Sequence, residues 1–226
     1  SYLERLGIRP PPAPQPVEEH PWAPVYARYA ERSGEPCTPV DMMIVATARL
    51  LRDRVLAGDY RTMLVGAGNS RTAGALCYCL LKKGGRTVTM VEGTGRIGHE
   101  PLPIPNAARL TATMLTGTLD AYGTLVGGNR PQCIALLGGG EIDLQGNLNS
   151  TLGGDRFLTG SGGSNDAASM AAETVVMMRQ SARRMVPRAR YVTTPGSRIQ
   201  HLVSDLGVYG KDAQGLFELR QYFASP

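Results

Sequence analysis

A single carboxylate, Glu92, ends an apolar, β-branched run and is followed at once by glycine. Residues 87–98 read T-V-T-M-V-E-G-T-G-R-I-G. Val88, Met90 and Val91 have the character of a strand buried in a sheet, and Gly93, Gly95 and Gly98 mark the turn at its carboxyl end. In open α/β sheets ligands bind at that end. A carboxylate there is a nucleophile, a ribose or metal ligand, or a cap on the next helix, where acidic side chains are common.

Three glycine turns bear on that choice. Gly66-Ala67-Gly68 follows one strand and opens a helix, with Glu92 ending the next strand, which is nearly a dinucleotide fingerprint with Glu92 on a ribose hydroxyl. The third small residue of that fingerprint belongs at position 71, and Arg71 does not fit. Gly138, Gly139 and Gly140 supply amides unobstructed by side chains, suited to a developing oxyanion or to a plain tight turn. Gly160, Ser161, Gly162, Gly163, Ser164 and Asn165 open another helix and offer a second anion site, without the Gly-Lys-Ser/Thr of a Walker loop. Gly66, Gly68, Asn69 and His99 are candidates for the same mouth, with a solvated loop as the alternative for His99. His20 lies in a proline segment and His201 begins a strand. There is no metal-ligand spacing and no Gly-x-Ser-x-Gly elbow. One carboxylate and two glycine loops, without metal or general base, suit acyl transfer through a carboxylate nucleophile better than hydrolysis.

These pieces must be carried by a chain of 226 residues, long enough for one sizeable core. No apolar run approaches the roughly 18 residues needed to span a bilayer, and no signal peptide opens the chain. Cys37, Cys77, Cys79 and Cys133 form no CxxC pair and read as reduced cysteines of a cytoplasmic protein, with a zinc site as the alternative. The net charge of +5 is spread along the chain without basic-aromatic interleaving, so it suits small phosphorylated molecules at least as well as nucleic acid.

Residues 9–24 hold seven of the sixteen prolines, an extended segment that wraps or links. Before it, Ser1–Gly7 reads as a helix end closed by glycine. Residues 1–37 are therefore expected to be an arm or linker, the tail of a preceding domain, and residues 38–226 the compact domain. Thr38-Pro39-x-Asp41 starts a helix that runs to Gly58. The pattern then predicts a strand at Thr62–Val65, a helix over Ser70–Leu81 closed by Gly84-Gly85, and a strand at Thr87–Val91 paired in parallel through a right-handed crossover. A proline loop at Pro101, Pro103 and Pro105 leads into helical turns. Further on, strands are predicted at Cys133–Leu137, Thr174–Met178, Tyr191–Thr193 and His201–Leu206, with a helix at Asp166–Ala172. The fold class that follows is α/β, in three layers around a mostly parallel sheet.

At this point the chain resembles the β half of family I CoA-transferases, of the glutaconate CoA-transferase type. The likeness rests on Leu136–Asn149 (L-L-G-G-G-E-I-D-L-Q-G-N-L-N) and Phe157–Asp166 (F-L-T-G-S-G-G-S-N-D). It continues through Arg183-Arg184, Tyr191–Gly196 (Y-V-T-T-P-G) and Val203-x-Asp-Leu-Gly-Val208. Gly66-Ala67-Gly68 and Val91-Glu92 fall in the order of the family's first glycine turn and catalytic glutamate. The resemblance implies that Glu92 attacks an acyl-CoA, giving a glutamyl anhydride and then a glutamyl-CoA thioester, in a ping-pong transfer to a free carboxylic acid. It implies Gly138–Gly140 on the oxyanion side, Gly160–Asn165 along the CoA passage, and coenzyme A as co-substrate with no resident cofactor. It also implies an α-type partner, either separate (αβ or α2β2) or the upstream half of a longer chain, and neither nucleic acid nor membrane. Glu92-Gly-Thr-Gly carries one residue more than the family's glutamate turn, and Pro101 stands nine positions on instead of eight. That insertion keeps CoA-ester hydrolysis and decarboxylation, both known on this fold, as alternatives. Family members usually continue past Tyr222-Phe223 through a further helix.

Overall fold

The computed structural model describes residues 34–100 and 112–223. Residues 1–33 of the arm expected at 1–37, with its proline run and His20, and the loop of Pro101, Pro103 and Pro105 lie outside the described residues.

The first helix, α1 (Pro39–Ala57), starts as its residue types dictate. Asp41 N donates to Thr38 Oγ1 and Thr38 N donates back to Asp41 Oδ2, a reciprocal cap with Pro39 at the first helical position. Next come β1 (Thr62–Val65), α2 (Asn69–Lys83), β2 (Thr89–Glu92), β3 (Arg96–Ile97) and β4 (Met114–Leu115). A helical turn at Thr118–Asp120 runs into a π-helical stretch, Ala121–Gly128. Then follow β5 (Cys133–Leu137) and four short strands: β6 (Glu141–Asp143), β7 (Leu148–Asn149), β8 (Leu152–Gly153) and β9 (Arg156–Phe157). Helix α3 (Ser164–Met170) leads to β10 (Glu173–Met177), β11 (Met185–Val186), β12 (Ile199–Val203), β13 (Gly207–Lys211) and β14 (Phe217–Tyr222).

Nine strands form one sheet in the order β14-β13-β12-β10-β5-β1-β2-β3-β4. The centre, β12-β10-β5-β1-β2, is parallel, and both flanks are antiparallel. The sheet is therefore mixed, which corrects the mostly parallel one expected from the sequence. The reason is local: the Gly93–Gly95 and Ser204–Gly207 turns are too short for a crossover and can only return the chain as a hairpin. At the second turn Ser204 Oγ accepts from the amides of Leu206 and Gly207, so the strand expected to reach Leu206 stops at Val203. Tyr191–Thr193 is not a strand; Thr193 N donates to Leu148 O at 2.8 Å, and the next residue, Thr194, makes an isolated bridge with Leu148.

The central strands are buried on both faces. Ile134 and Leu136 of β5 pack with Met63, Met90, Leu51 and Leu81 under α1 and α2. Cys133, Ala135 and Leu137 face the opposite way, against Val91, Val126, Leu148, Ala167 and Leu202. The layers are thus two long helices, the sheet, and a third layer of short helices and small strands.

At the amino edge, Glu173 is buried at the start of β10. Arg54 of α1 donates to both of its oxygens at 2.8 Å and the Tyr60 hydroxyl donates to Oε2 at 3.1 Å, with His201 Nε2 3.4 Å from Oε1. This cluster fastens helix α1 to the sheet. Glu173→Ala leaves Arg54 and Tyr60 without that acceptor. Breaking a buried pair costs roughly 3–5 kcal/mol, and the partial exposure of Arg54 reduces the expected loss to about 2–3 kcal/mol. Urea unfolding of the wild type and the variant checks this value.

Candidate active site

Parallel pairing brings the candidate residues to one edge. Val65 pairs with Glu92 on one side and with Leu136 on the other, so the carboxyl ends of β2, β1 and β5 stand level. Two strand spacings separate Glu92 from Leu136, roughly 10 Å. The Gly66 turn, the Gly138–Gly140 turn and Glu92 therefore open onto one rim. Gly66 N donates to Leu136 O at 2.8 Å, which ties the first two together. Gly68, at φ +69°, turns the chain into α2, leaving Asn69 exposed and Ser70 buried.

The Gly160–Asn165 loop reaches the rim through a residue that carries no mark in the sequence. The Tyr122 hydroxyl lies so close to Gly93 and Gly163 that a Cβ on either glycine would collide with it. Tyr122 thus holds the glycine next to Glu92 and the second glycine loop against one phenol. Burial, helped by Asp166, raises the Tyr122 pKa, so its hydroxyl stays protonated. A π-helical segment presents this side chain, the kind of irregularity often found at functional sites. Ser164 Oγ meets Thr194 Oγ1 at 3.0 Å, which steadies the loop from its other side. Gly160, Ser161, Gly162 and Asn165 are spread along the open side of this loop, with Gly160 and Ser161 exposed.

Glu92 ends β2 with its side chain 5% exposed, and its two oxygens are treated differently. Arg96, four residues on, returns along β3 and donates to Oε2 through Nε at 3.1 Å and through Nη2. Thr94 Oγ1 lies at 3.5 Å from the same oxygen and Arg71 Nη2 at 3.7 Å. Oε1 faces His99 Nε2 at 3.3 Å, but the N–H is not aligned, and Oε1 accepts no hydrogen bond among the described residues. The Glu92-Gly-Thr-Gly turn makes this possible. Gly95, at φ +90°, donates to Glu92 O at 2.9 Å and closes a turn that points Arg96 back at the carboxylate. A side chain at Gly95 would strike the Thr116 carbonyl.

Two expectations change here. His99 is buried, not solvated, and belongs to the mouth. Arg71, the misfit to a dinucleotide fingerprint, faces Glu92 as a second cation. The sequence carried one unused signal for Arg96: a Gly-x-Gly turn returns the next residue toward the strand end it has just left.

The oxyanion candidate is fixed by one side chain. Arg184 donates to Gly139 O at 2.6 Å and to Gly140 O at 3.0 Å, which ties down two carbonyls of that turn. The Gly138, Gly139 and Gly140 amides donate to no acceptor among the described turn and loop contacts. Cys77 and Cys133 are unsuited to nucleophilic work, because burial pushes both thiols up to about 12. A cavity of about 380 Å³ is lined by Leu144, Gln145, Pro187, Arg188 and Leu216, and Glu92 is not part of its lining. No group of three His, Cys, Asp or Glu side chains placed to hold a metal gathers among the described residues, and no helix there is long and apolar enough to cross a membrane.

Comparison with known proteins bears on the fold and on the sequence likeness. No protein-family model matches the chain. It is 46% identical over 69 residues to the B subunit of glutaconate CoA-transferase from Acidaminococcus fermentans, covering 28% of the chain and 25% of that relative. It is 27% identical over 166 residues to the B subunit of 3-oxoadipate CoA-transferase from Pseudomonas knackmussii, covering 69% of the chain and 60% of that relative. The chain thus spans less than two thirds of the length of either. The crystal structure of glutaconate CoA-transferase from Acidaminococcus fermentans superposes with a TM-score of 0.68 at 22% identity, over 82% of the chain and 79% of the other. The decarboxylase AibA/AibB superposes with a TM-score of 0.63 at 20% identity, over 81% and 77%. The resemblance drawn from the glycine motifs is borne out: the fold is that of a CoA-transferase, and the sequence is similar to the B subunits of two such enzymes.

Burial lowers the His99 pKa below its ordinary 6.5, although Glu92 pulls it the other way. The same holds for His201 beside Glu173. Below pH 6.5 the unfolded chain takes up protons that the folded one refuses, so this stability is fully present above that pH and falls as pH drops. Thermal unfolding followed from pH 7.5 to 5 is expected to show a declining Tm. The decline should be shallower in the double variant His99→Gln/His201→Gln.

Proposed function

We propose that this chain is the β-type part of a CoA-transferase, moving CoA between an acyl-CoA and a free carboxylic acid with Glu92 as nucleophile. The observation that carries the reading is the half-satisfied carboxylate. One oxygen of Glu92 is pinned by a guanidinium while the other accepts no hydrogen bond among the described residues, on the rim where the Gly138–Gly140 turn also opens. A carboxylate is itself a nucleophile, so no general base is required. Oε1 attacks the acyl carbonyl carbon, and amides of Gly138–Gly140 stabilise the tetrahedral oxyanion. The glycines of the 160–165 loop leave room for the pantetheine arm of coenzyme A, which enters as co-substrate. The similarity to the B subunits of two transferases supports the same reading.

CoA-ester hydrolysis or decarboxylation is the second reading. It is favoured by the contacts of Arg96 and His99 with Glu92, which would also suit a carboxylate used for its charge alone. Borohydride or hydroxylamine treatment after acyl-CoA alone, followed by peptide mapping, distinguishes the two. Transfer predicts modification at Glu92 and a loss of at least about 10³-fold in turnover for Glu92→Gln. Turnover without modification, with free acid or carbon dioxide as product, would overturn it.

The chain is expected to act with an α-type partner, either a separate polypeptide or the upstream half of one polypeptide joined through residues 1–37. A lone sheet edge cannot shut water out of an acyl anhydride. Exposed apolar side chains flank the rim on both sides: Met114 and Leu115 pair with the Arg96 strand, and Phe157 and Leu158 precede the glycine loop. The four unpaired cysteines of the chain suit a cytoplasmic assembly. Native mass spectrometry of the natural assembly should show the partner, with an interface of roughly 2,000 Å² or more. Full turnover from the isolated 226-residue chain would contradict this.

A further inference from the structure

The transfer chemistry displaces a charge that the fold has balanced. Glu92 is an anion paired with Arg96, whose side chain is 15% exposed and has no other acidic partner among the described residues. Arg71, 56% exposed at the mouth, likewise has Glu92 as its acidic neighbour. When Oε1 bonds to the acyl carbon, the C–S bond breaks and its electron pair leaves as CoA thiolate. The thiolate then attacks Glu92 Cδ, the bond from Cδ to the bridging oxygen breaks, and that electron pair leaves on the free acid as a carboxylate. No proton moves in either step. At the thioester stage Glu92 is neutral, Arg96 is still a cation in a mostly buried place, and the negative charge sits on the acid. A buried cation without a counter-ion is strongly disfavoured.

We propose that Arg96, seconded by Arg71, is the binding site for the carboxylate of the free acid, exchanging partners with Glu92 as the thioester forms and breaks. The inference rests on the transferase reading given above. The geometry suits the exchange. Arg96 and Arg71 both lie at Oε2, which becomes the carbonyl oxygen of the thioester, so they stay beside the reacting carbon while Oε1 changes its bond. Arginine also presents a planar fork able to hold two carboxylate oxygens at once. One consequence is selectivity by state. The acid binds weakly while Glu92 is charged and holds the cation, and firmly once Glu92 is a thioester, which enforces the ping-pong order.

The test uses the complete assembly with its partner. Enzyme is incubated with acyl-CoA, the Glu92 thioester is measured by borohydride trapping, and its discharge is followed against acid concentration. The proposal expects Arg96→Gln to form the thioester but to need at least about tenfold more acid for half-maximal discharge, the loss of one charge-assisted pair. Arg96→Lys, which keeps the charge but not the fork, should fall between. Arg71→Glu, an exposed change that leaves the fold intact, should also raise the requirement by at least about tenfold, and it decides the matter if Arg96→Gln forms no thioester. Normal thioester formation with acid dependence within about twofold of wild type in these variants, too small for a lost ion pair, would overturn the inference while leaving the transferase reading standing. Absence of a Glu92 adduct in the wild type would overturn both.

Discussion

The level pairing of three parallel strands is the constraint on which the site depends. Parallel strands must end at the same edge, and β2, β1 and β5 are in register such that Glu92, Val65 and Leu136 stand side by side. Whatever follows those residues is therefore gathered on one rim, whether turn, glycine loop or hairpin. The burial of these strands on both faces holds the register. A slip of one residue would move Ile134 and Leu136 to the wrong side of the sheet and expose or overpack both cores.

Two buried carboxylates in this fold show how similar surroundings lead to different roles. Glu173 and Glu92 each sit beside an arginine and a histidine. Glu173 has donors on both oxygens, from Arg54 and Tyr60, and lies at the amino edge of the sheet, where it fastens a helix. Among the described residues Glu92 has donors on one oxygen only, and it lies at the carboxyl edge among glycine turns. A fully satisfied ion pair is a structural anchor. A buried oxygen left without a donor is costly to keep, and such groups are found where chemistry needs them.

The hairpin after Glu92 sets the electrostatics of the site. The Glu92-Gly-Thr-Gly stretch closes a turn that brings Arg96 onto the carboxylate, and the first turn of α2 supplies Arg71. Two cations around one anion leave the rim with an excess of positive charge, which suits an anionic ligand. Tyr122 adds a mechanical link, because its phenol occupies space that only glycine at 93 and 163 leaves open.

Much of this was determined by the sequence alone. Helix α1 with its Thr38 cap, strands β1 and β5, helix α2 and the glycine turns were legible because capping, periodicity and glycine act over a few residues. Glu92 could be singled out for the same reason, as the one carboxylate at the junction of an apolar run and a glycine turn. Only tertiary structure decided what surrounds it. His99 reads as a loop residue until the fold buries it, Arg71 reads as a defect in a motif until Glu92 is placed opposite, and Tyr122 carries no local mark at all. The antiparallel flanks of the sheet were missed because β3 and β4 are two residues each and β14 is largely exposed, so the apolar run that marks a strand is absent there. Contacts between residues distant in the chain are set by strand register and burial, and no pattern within a short window records them.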